Sequence, residues 1–253
     1  MSEHNTTALV TGGAGLLGTA ISRALAKAGH PVVLTYQRAA DRANALAAEL
    51  EAAGTPALAA PFELADPDAS ATLLDTIEAA GFSPVGILVN NALPQPDTRR
   101  PDLAAFTDAT DASWRNLVRH NVEGTLSLIR AVLPGMLAAG YGRVVSISST
   151  LVHSGLPGGV PYSAAKAAMH GASRSLAWEV GRAGVTVNVV TPGLIASKKA
   201  EEEIGEAIAG VTGATPIGRL VTVDEVAAAV GFLASPGAAG ITGSEIVVDG
   251  GKD

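Results

Sequence analysis

Short apolar runs rich in β-branched residues alternate along this chain with longer, alanine-rich stretches of helical period. The runs Ala8–Thr11, Val32–Tyr36, Ala57–Phe62, Ile87–Asn90, Arg143–Ser148, Val185–Val190 and Glu245–Val248 predict strands. Helical patterns lie between them, over 16–28, 41–53, 68–80, 113–139, 162–182 and 223–234. The strand runs are apolar throughout, as expected where a parallel sheet is covered on both faces. Repeated β-α units of this kind build an α/β, doubly wound parallel sheet of about seven strands with helices on both faces and right-handed crossovers. No linker divides the chain, so residues 1–253 are expected to form one domain. Two long connections, Leu93–Pro101 and Gly193–Pro216, follow predicted strands. That places them at the carboxyl edge, where open α/β sheets bind ligands.

Composition narrows the function. Apolar residues make up 47% of the chain, and aromatics only 4%, so Ala, Val, Leu and Ile must fill the core. The net charge is -7, with no Lys/Arg cluster, which argues against a nucleic-acid partner. The absence of cysteine excludes disulfides, thiolate metal sites and a cysteine nucleophile, and no metal site is expected. The first residues, MSEHNT, are polar and lack an apolar signal region. No uncharged apolar run reaches the length of a membrane span. A cytoplasmic protein without a membrane partner is the expectation.

Two motifs carry chemistry. Thr11-Gly12-Gly13-Ala14-Gly15-Leu16-Leu17-Gly18 follows the first strand and opens the first helix. A glycine turn there lets backbone N–H groups approach a pyrophosphate at a helix N-terminus. Gly12 is expected to make the tight turn, Gly15 to admit the ligand, and Gly18 to pack the helix on the sheet. The second motif is Tyr162-Ser163-Ala164-Ala165-Lys166, whose spacing of four puts Tyr and Lys on one helical face. A free phenol has a pKa of about 10, and a nearby ammonium is expected to lower it. Tyr162 then serves as general acid in reduction and general base in oxidation. An ordinary surface pair has the same spacing, so neighbouring motifs decide. Ser149, with Ser146, Ser148 and Thr150, closes the preceding strand, where its hydroxyl would hold a substrate oxygen. Asn121 interrupts a helical pattern in which Asn is disfavoured. It is expected to kink that helix around a water leading to Lys166.

With these residues in order, residues 7–251 resemble the single-domain branch of the short-chain dehydrogenase/reductase family. The resemblance rests on the glycine turn, Asn90-Asn91-Ala92, Asn121, Ser149, Tyr162-x-x-x-Lys166, Pro192-Gly193 and Thr242-Gly243 through Val248-Asp249-Gly250-Gly251. Pro216-Ile217-Gly218-Arg219-Leu220 and the segments after it are similar to 3-oxoacyl-acyl-carrier-protein reductases. The resemblance implies a Rossmann-type NAD(P)-binding domain with a catalytic tetrad of Asn121, Ser149, Tyr162 and Lys166. It implies cofactor contacts at Gly12, Gly15, Leu17, Gly18, Glu63, Leu64, Asn91, Tyr162, Lys166, Ile195 and Ser197, and a substrate lid over Ile195–Thr215. It also implies a homotetramer joined through the helices near 113–139 and 162–182. Two positions depart from the branch: Leu16 stands where its usual glycine spacing has Gly, and Leu93 replaces the last glycine of the Asn-Asn-Ala-Gly motif.

Cofactor choice is read at the end of the second strand, where an acid would bind ribose hydroxyls and repel a 2′-phosphate. This strand ends Tyr36-Gln37-Arg38 with no carboxylate before Asp41. Arg38 can offer forked donors to phosphate, so NADP(H) is favoured over NAD(H). The expected activity is NADPH-dependent reduction of a ketone or 3-oxoacyl carbonyl, on a small molecule or a carrier-linked acyl group. An NAD-dependent secondary-alcohol dehydrogenase and a non-catalytic cofactor-binding protein are the alternatives.

Overall fold

The computed structural model describes residues 6–82, 84–93 and 105–252. Its seven strands are β1 (Thr7–Val10), β2 (Val32–Tyr36), β3 (Ala57–Pro61), β4 (Val85–Asn90), β5 (Gly142–Ile147), β6 (Val185–Pro192) and β7 (Glu245–Val248). All pair in parallel, in the order β3-β2-β1-β4-β5-β6-β7. The order reverses at β1, so the carboxyl ends of β1 and β4 flank the crevice where such sheets take ligands. This is a Rossmann-type doubly wound sheet, as the apolar strand pattern predicts.

Successive strand residues point to opposite faces, and both faces are buried. Val10, Leu34, Val89, Val145 and Val190 join a core covered by α1 (Leu16–Lys27), α2 (Ala40–Ala52) and α10 (Val223–Ala234). Leu9, Val33, Leu88, Val144 and Val187 join the other core, under α3 (Ala69–Ala79), α5 (Thr125–Ala139) and α7 (Val160–Val180). Helix α4 (Asp111–Arg119) runs into α5 through a π-helical turn at His120–Gly124. Helix α7 begins two residues earlier than its periodicity predicts, because Pro161 suits the first turn of a helix.

Two connections differ from expectation. The stretch Gly193–Pro216 carries two short helices, α8 (Lys198–Ile204) and α9 (Ile208–Gly213). A further short helix, α6 (Leu151–Ser154), follows β5. Most of the Leu93–Pro101 connection lies outside the described residues. The continuous helix Asp111–Ala139 is long and apolar enough, by length and composition, to cross a membrane. Here Leu128, Ile129, Val132 and Met136 turn one stripe of it into the sheet's core.

The π turn meets the sheet edge at a tight contact. A Cβ at Gly124 would stand 2.3 Å from the Leu64 carbonyl oxygen, a backbone atom that cannot swing aside. Gly124→Ala is therefore expected to destabilise the fold by about 1–3 kcal/mol. For a chain of this size that lowers Tm by roughly 2–4 °C per kcal/mol, measurable by thermal melting.

Candidate active site

The glycine turn is built by contacts between strand ends. Gly12 takes a left-handed φ of 62°, which glycine adopts without strain. Thr35 at the end of β2 occupies the turn's first amides: Gly12 N donates to its Oγ1 at 3.2 Å and Gly13 N to its carbonyl at 3.0 Å. Thr11 Oγ1 accepts from the Asn91 and Ala92 amides at 3.0 and 2.9 Å. The Asn91 side chain donates to the carbonyls of Thr11 at 2.9 Å and Gly12 at 3.2 Å. Asn91 thus braces the turn as well as lining the cleft.

The glycines divide their work differently from the sequence expectation. It is Gly13 that lets the turn lie on the sheet, since a Cβ there would stand 2.5 Å from Leu34 Cβ. Gly18 instead passes against the turn itself: its Cβ would stand 2.2 Å from Gly12 O and 2.9 Å from Asn91 Nδ2. Gly15 is the N-cap of α1 with no side-chain cap. The first amides of the helix, at Leu16, Leu17 and Gly18, have no intrahelical acceptor and carry the positive end of the helix dipole.

These groups open on a cleft of about 370 Å³. Gly12, Gly15, Leu17, Gly18, Arg38, Glu63, Leu64 and Asn91 all line it, together with Thr35, Tyr36 and Arg42. Arg42, in the first turn of α2, escaped the sequence reading; the fold brings it to the same cleft as Arg38, which precedes that helix. The Glu63 carboxylate accepts from Gln37 Nε2 and from the Ala65 amide. Leu16 and Leu93, which replace expected glycines, are 60% and 41% exposed where they line the cleft. An uncapped helix N-terminus, a cradle that Cβ atoms would fill and two arginines fit a dinucleotide phosphate.

The Tyr162 centre lies along the same carboxyl edge. Ser149 lies beside the Tyr162 phenol, close enough to oppose the effect of burial on it, and its Oγ accepts from the Leu151 amide at 3.3 Å. Lys166 is buried, its Nζ donating to the Ile147 carbonyl at 2.9 Å and lying 6.0 Å from the Tyr162 ring centroid. Burial pushes the Lys166 ammonium down to about 8. Burial also pushes the Tyr162 phenol above its ordinary value, opposed by the Ser149 hydrogen bond. The expectation of a phenol lowered by Lys166 is corrected: burial of the phenol raises its pKa, and the opposing contribution comes from Ser149.

Asn121 sits in the π turn, and its Nδ2 donates to Leu117 O at 2.8 Å, a carbonyl that also receives the His120 amide. The helix is therefore bulged at Asn121. Asn121 and Lys166 share the wall of a cavity of about 10 Å³ with Asn90 and Ser146, about the room one water needs. Ile195 and Ser197 follow β6 but do not line the cleft described above. Ile195 forms a lone bridge to Val221, and Ser197 caps α8, its hydroxyl accepting from Ala200 N at 3.0 Å.

The family model described as enoyl-(acyl carrier protein) reductase matches residues 13–253. The 3-oxoacyl-(acyl-carrier-protein) reductase FabG of Pseudomonas aeruginosa is 36% identical over 99% of this chain and 98% of its own. The chain belongs to the short-chain dehydrogenase/reductase family. It is an NAD(P)-dependent oxidoreductase acting on CH–OH and C=O groups. The acetoacetyl-CoA reductase of Cupriavidus necator is 33% identical over 96% of both chains. A gluconate 5-dehydrogenase from Burkholderia cenocepacia, solved with NADP and tartrate, superposes with a TM-score of 0.87 at 30% identity, over 98% of this chain and 94% of its own.

The phenol's electrostatics give a direct test. With only Tyr36, Tyr141 and Tyr162 in the chain, tyrosinate absorbance resolves single groups. Against Tyr162→Phe as reference, Tyr162 is expected to titrate above its ordinary value in the cofactor-free protein. Ser149→Ala is expected to move it higher still, because the lost hydrogen bond was the opposing contribution.

Proposed function

We propose that this protein reduces 3-oxoacyl-type ketones to secondary alcohols with NADPH. The observation that carries the reading is Lys166, buried one turn beyond Tyr162 on the same helix, its Nζ held by the Ile147 carbonyl and 6.0 Å from the Tyr162 ring centroid, with Ser149 beside the phenol. A phenol held above its ordinary pKa keeps its proton at neutral pH, the state a general acid needs. Ser149 orients the substrate oxygen, and Tyr162 gives it a proton. Lys166 holds the ribose beside this centre. Asn121 and Lys166 enclose room for a water that returns the proton to the phenol. The nicotinamide, when bound, supplies the hydride.

The same domain, residues 1–253, holds the cofactor. The Leu16, Leu17 and Gly18 amides, with Gly12 and Gly15 beneath them, take the pyrophosphate. Glu63 and Leu64 border the adenine, and Asn91 the adjoining ribose by way of the turn it braces. Ile195 and Ser197 meet the carboxamide. Arg38 and Arg42 face the 2′-phosphate, which is the basis for preferring NADP(H). The names of the relatives support an acyl substrate, either a thioester of a small carrier or one borne on a carrier protein. A cytoplasmic homotetramer completes the reading. The small residues Ala164, Ala167 and Gly171 are exposed on the outer face of α7, and Trp178 on that helix is 90% exposed.

Two experiments test this. With a 3-oxo ester such as ethyl acetoacetate and NADPH, Tyr162→Phe is expected to remove nearly all turnover and leave NADPH affinity intact. Lys166→Ala is expected to harm both. A Tyr162→Phe variant that keeps most of its activity would sink the mechanism. For cofactor choice, each charge-assisted phosphate contact contributes about 1.5–3 kcal/mol. Arg38→Ala and Arg42→Ala should each weaken NADPH binding by about one to two decades while barely changing NADH binding, as read by fluorescence titration.

A further inference from the structure

A second polar cluster lies behind Ser149, apart from both the cleft and the Tyr162 centre. Ser148 Oγ is 2.7 Å from His170 Nε2. On the other side of that ring, His170 Nδ1 is 3.4 Å from Glu245 Oε2. The remaining carboxylate oxygen, Oε1, receives His153 Nε2 at 2.7 Å and Thr191 Oγ1 at 2.6 Å. The two imidazoles stand edge to face, 6.0 Å between centroids.

The placement of these residues gives the cluster its meaning. Ser148 follows β5 and is bonded to Ser149 itself. Thr191 lies in β6, just before Pro192-Gly193. Glu245 opens β7, and His170 stands one turn beyond Lys166 on α7. One carboxylate and one imidazole thus tie together the strand ends and the helix that carry the reaction centre.

The chemistry fixes the direction of each bond. A carboxylate only accepts, so His170 Nδ1 carries the hydrogen. A neutral imidazole then accepts at Nε2, and the Ser148 hydroxyl donates to it. Burial holds His170 below the ordinary histidine value, against the pull of Glu245. For Glu245, burial pushes the carboxyl up, but the hydrogen bonds from Thr191 and His153 and the two nearby imidazoles outweigh it, and its pKa is lowered. At neutral pH the cluster therefore holds a carboxylate and a neutral His170. Ser148 is only 4% exposed, which makes it a strut and not a nucleophile.

We propose that Ser148, His170 and Glu245 form a positioning relay that fixes the strand end presenting Ser149, and that protonation of His170 releases it. A protonated imidazole donates from both nitrogens, so Nε2 can no longer accept from Ser148, whose hydroxyl must turn away. The charged groups facing His170 are Glu245 on β7, His153 on α6 and Arg174 on its own helix. Glu245 favours the added proton, and His153 and Arg174 oppose it. The relay rests on the reading of Ser149 and Tyr162 as the reaction centre.

His170→Gln tests it, because the amide oxygen still accepts from Ser148 but cannot titrate. With ethyl acetoacetate and NADPH, kcat of the unmodified protein should fall along an acid limb centred below the ordinary histidine value, with NADPH affinity unchanged. In His170→Gln that acid limb should vanish. Loss of both partners in His170→Ala should lower kcat about tenfold at neutral pH, again without loss of NADPH affinity. A second readout needs neither turnover nor a stable alanine variant. In protein labelled with 15N-serine, the Ser149 amide resonance should follow the protonation of His170 and stay fixed in His170→Gln. A Ser149 resonance that ignores His170 overturns the relay, as does an unchanged acid limb in His170→Gln. Activity surviving in Tyr162→Phe would instead overturn the reading of the centre, and the Ser149 resonance would still decide the relay.

Discussion

A Cβ at residue 18 would lie 2.2 Å from the carbonyl oxygen of Gly12, and everything at the carboxyl edge of the sheet follows from that close approach. Helix α1 can start only where its first turn meets the loop leaving β1. Asn91, at the end of β4, reaches across to hold both the Thr11 and Gly12 carbonyls. Thr35, at the end of β2, takes the Gly12 and Gly13 amides. Three neighbouring strands thereby fix one turn. The helix amides left without partners are aimed into the cleft that a dinucleotide phosphate fits.

The other half of the edge is organised by desolvation. Lys166 is drawn into the interior and donates a hydrogen bond to a backbone carbonyl, while Tyr162 is shielded enough to keep its proton. Bulging of the long helix at Asn121 maintains a polar pocket beside the buried ammonium. A regular α-helix would have used the Leu117 carbonyl in its own ladder. Here the Asn121 side chain bonds it alongside the His120 amide. Buried polar groups are tolerated in this region because nearly every one has a named partner. The Ser148–His170–Glu245 relay extends the same rule one layer outward.

Much of this was legible in the chain itself. Apolar runs of strand length, separated by helical periods, determined the parallel sheet with two covered faces, because burial on both sides leaves no position for polar alternation. The glycine turn, Ser149 and the Tyr162–Lys166 spacing located the cleft and the proposed reaction centre, since each is a local motif legible along the chain. The out-of-place Asn121 signalled an interrupted helix, again a local property.

Tertiary structure alone decided what depends on strand order. Gly13, not Gly18, proved to be the glycine lying on the sheet, because the turn's rotation over Leu34 is set by β2 and not by spacing. The direction of the Tyr162 shift reversed, because burial is a property of the packed helix and cannot be read from a charge four residues away. Arg42 entered the cleft because α2 starts beside the end of β2. His170 meets Ser148 across 22 residues of chain, and His153 meets Glu245 across 92. Such pairs join because the parallel sheet sets the first residue of β7 beside the carboxyl-terminal halves of β5 and β6, however far apart they lie in sequence.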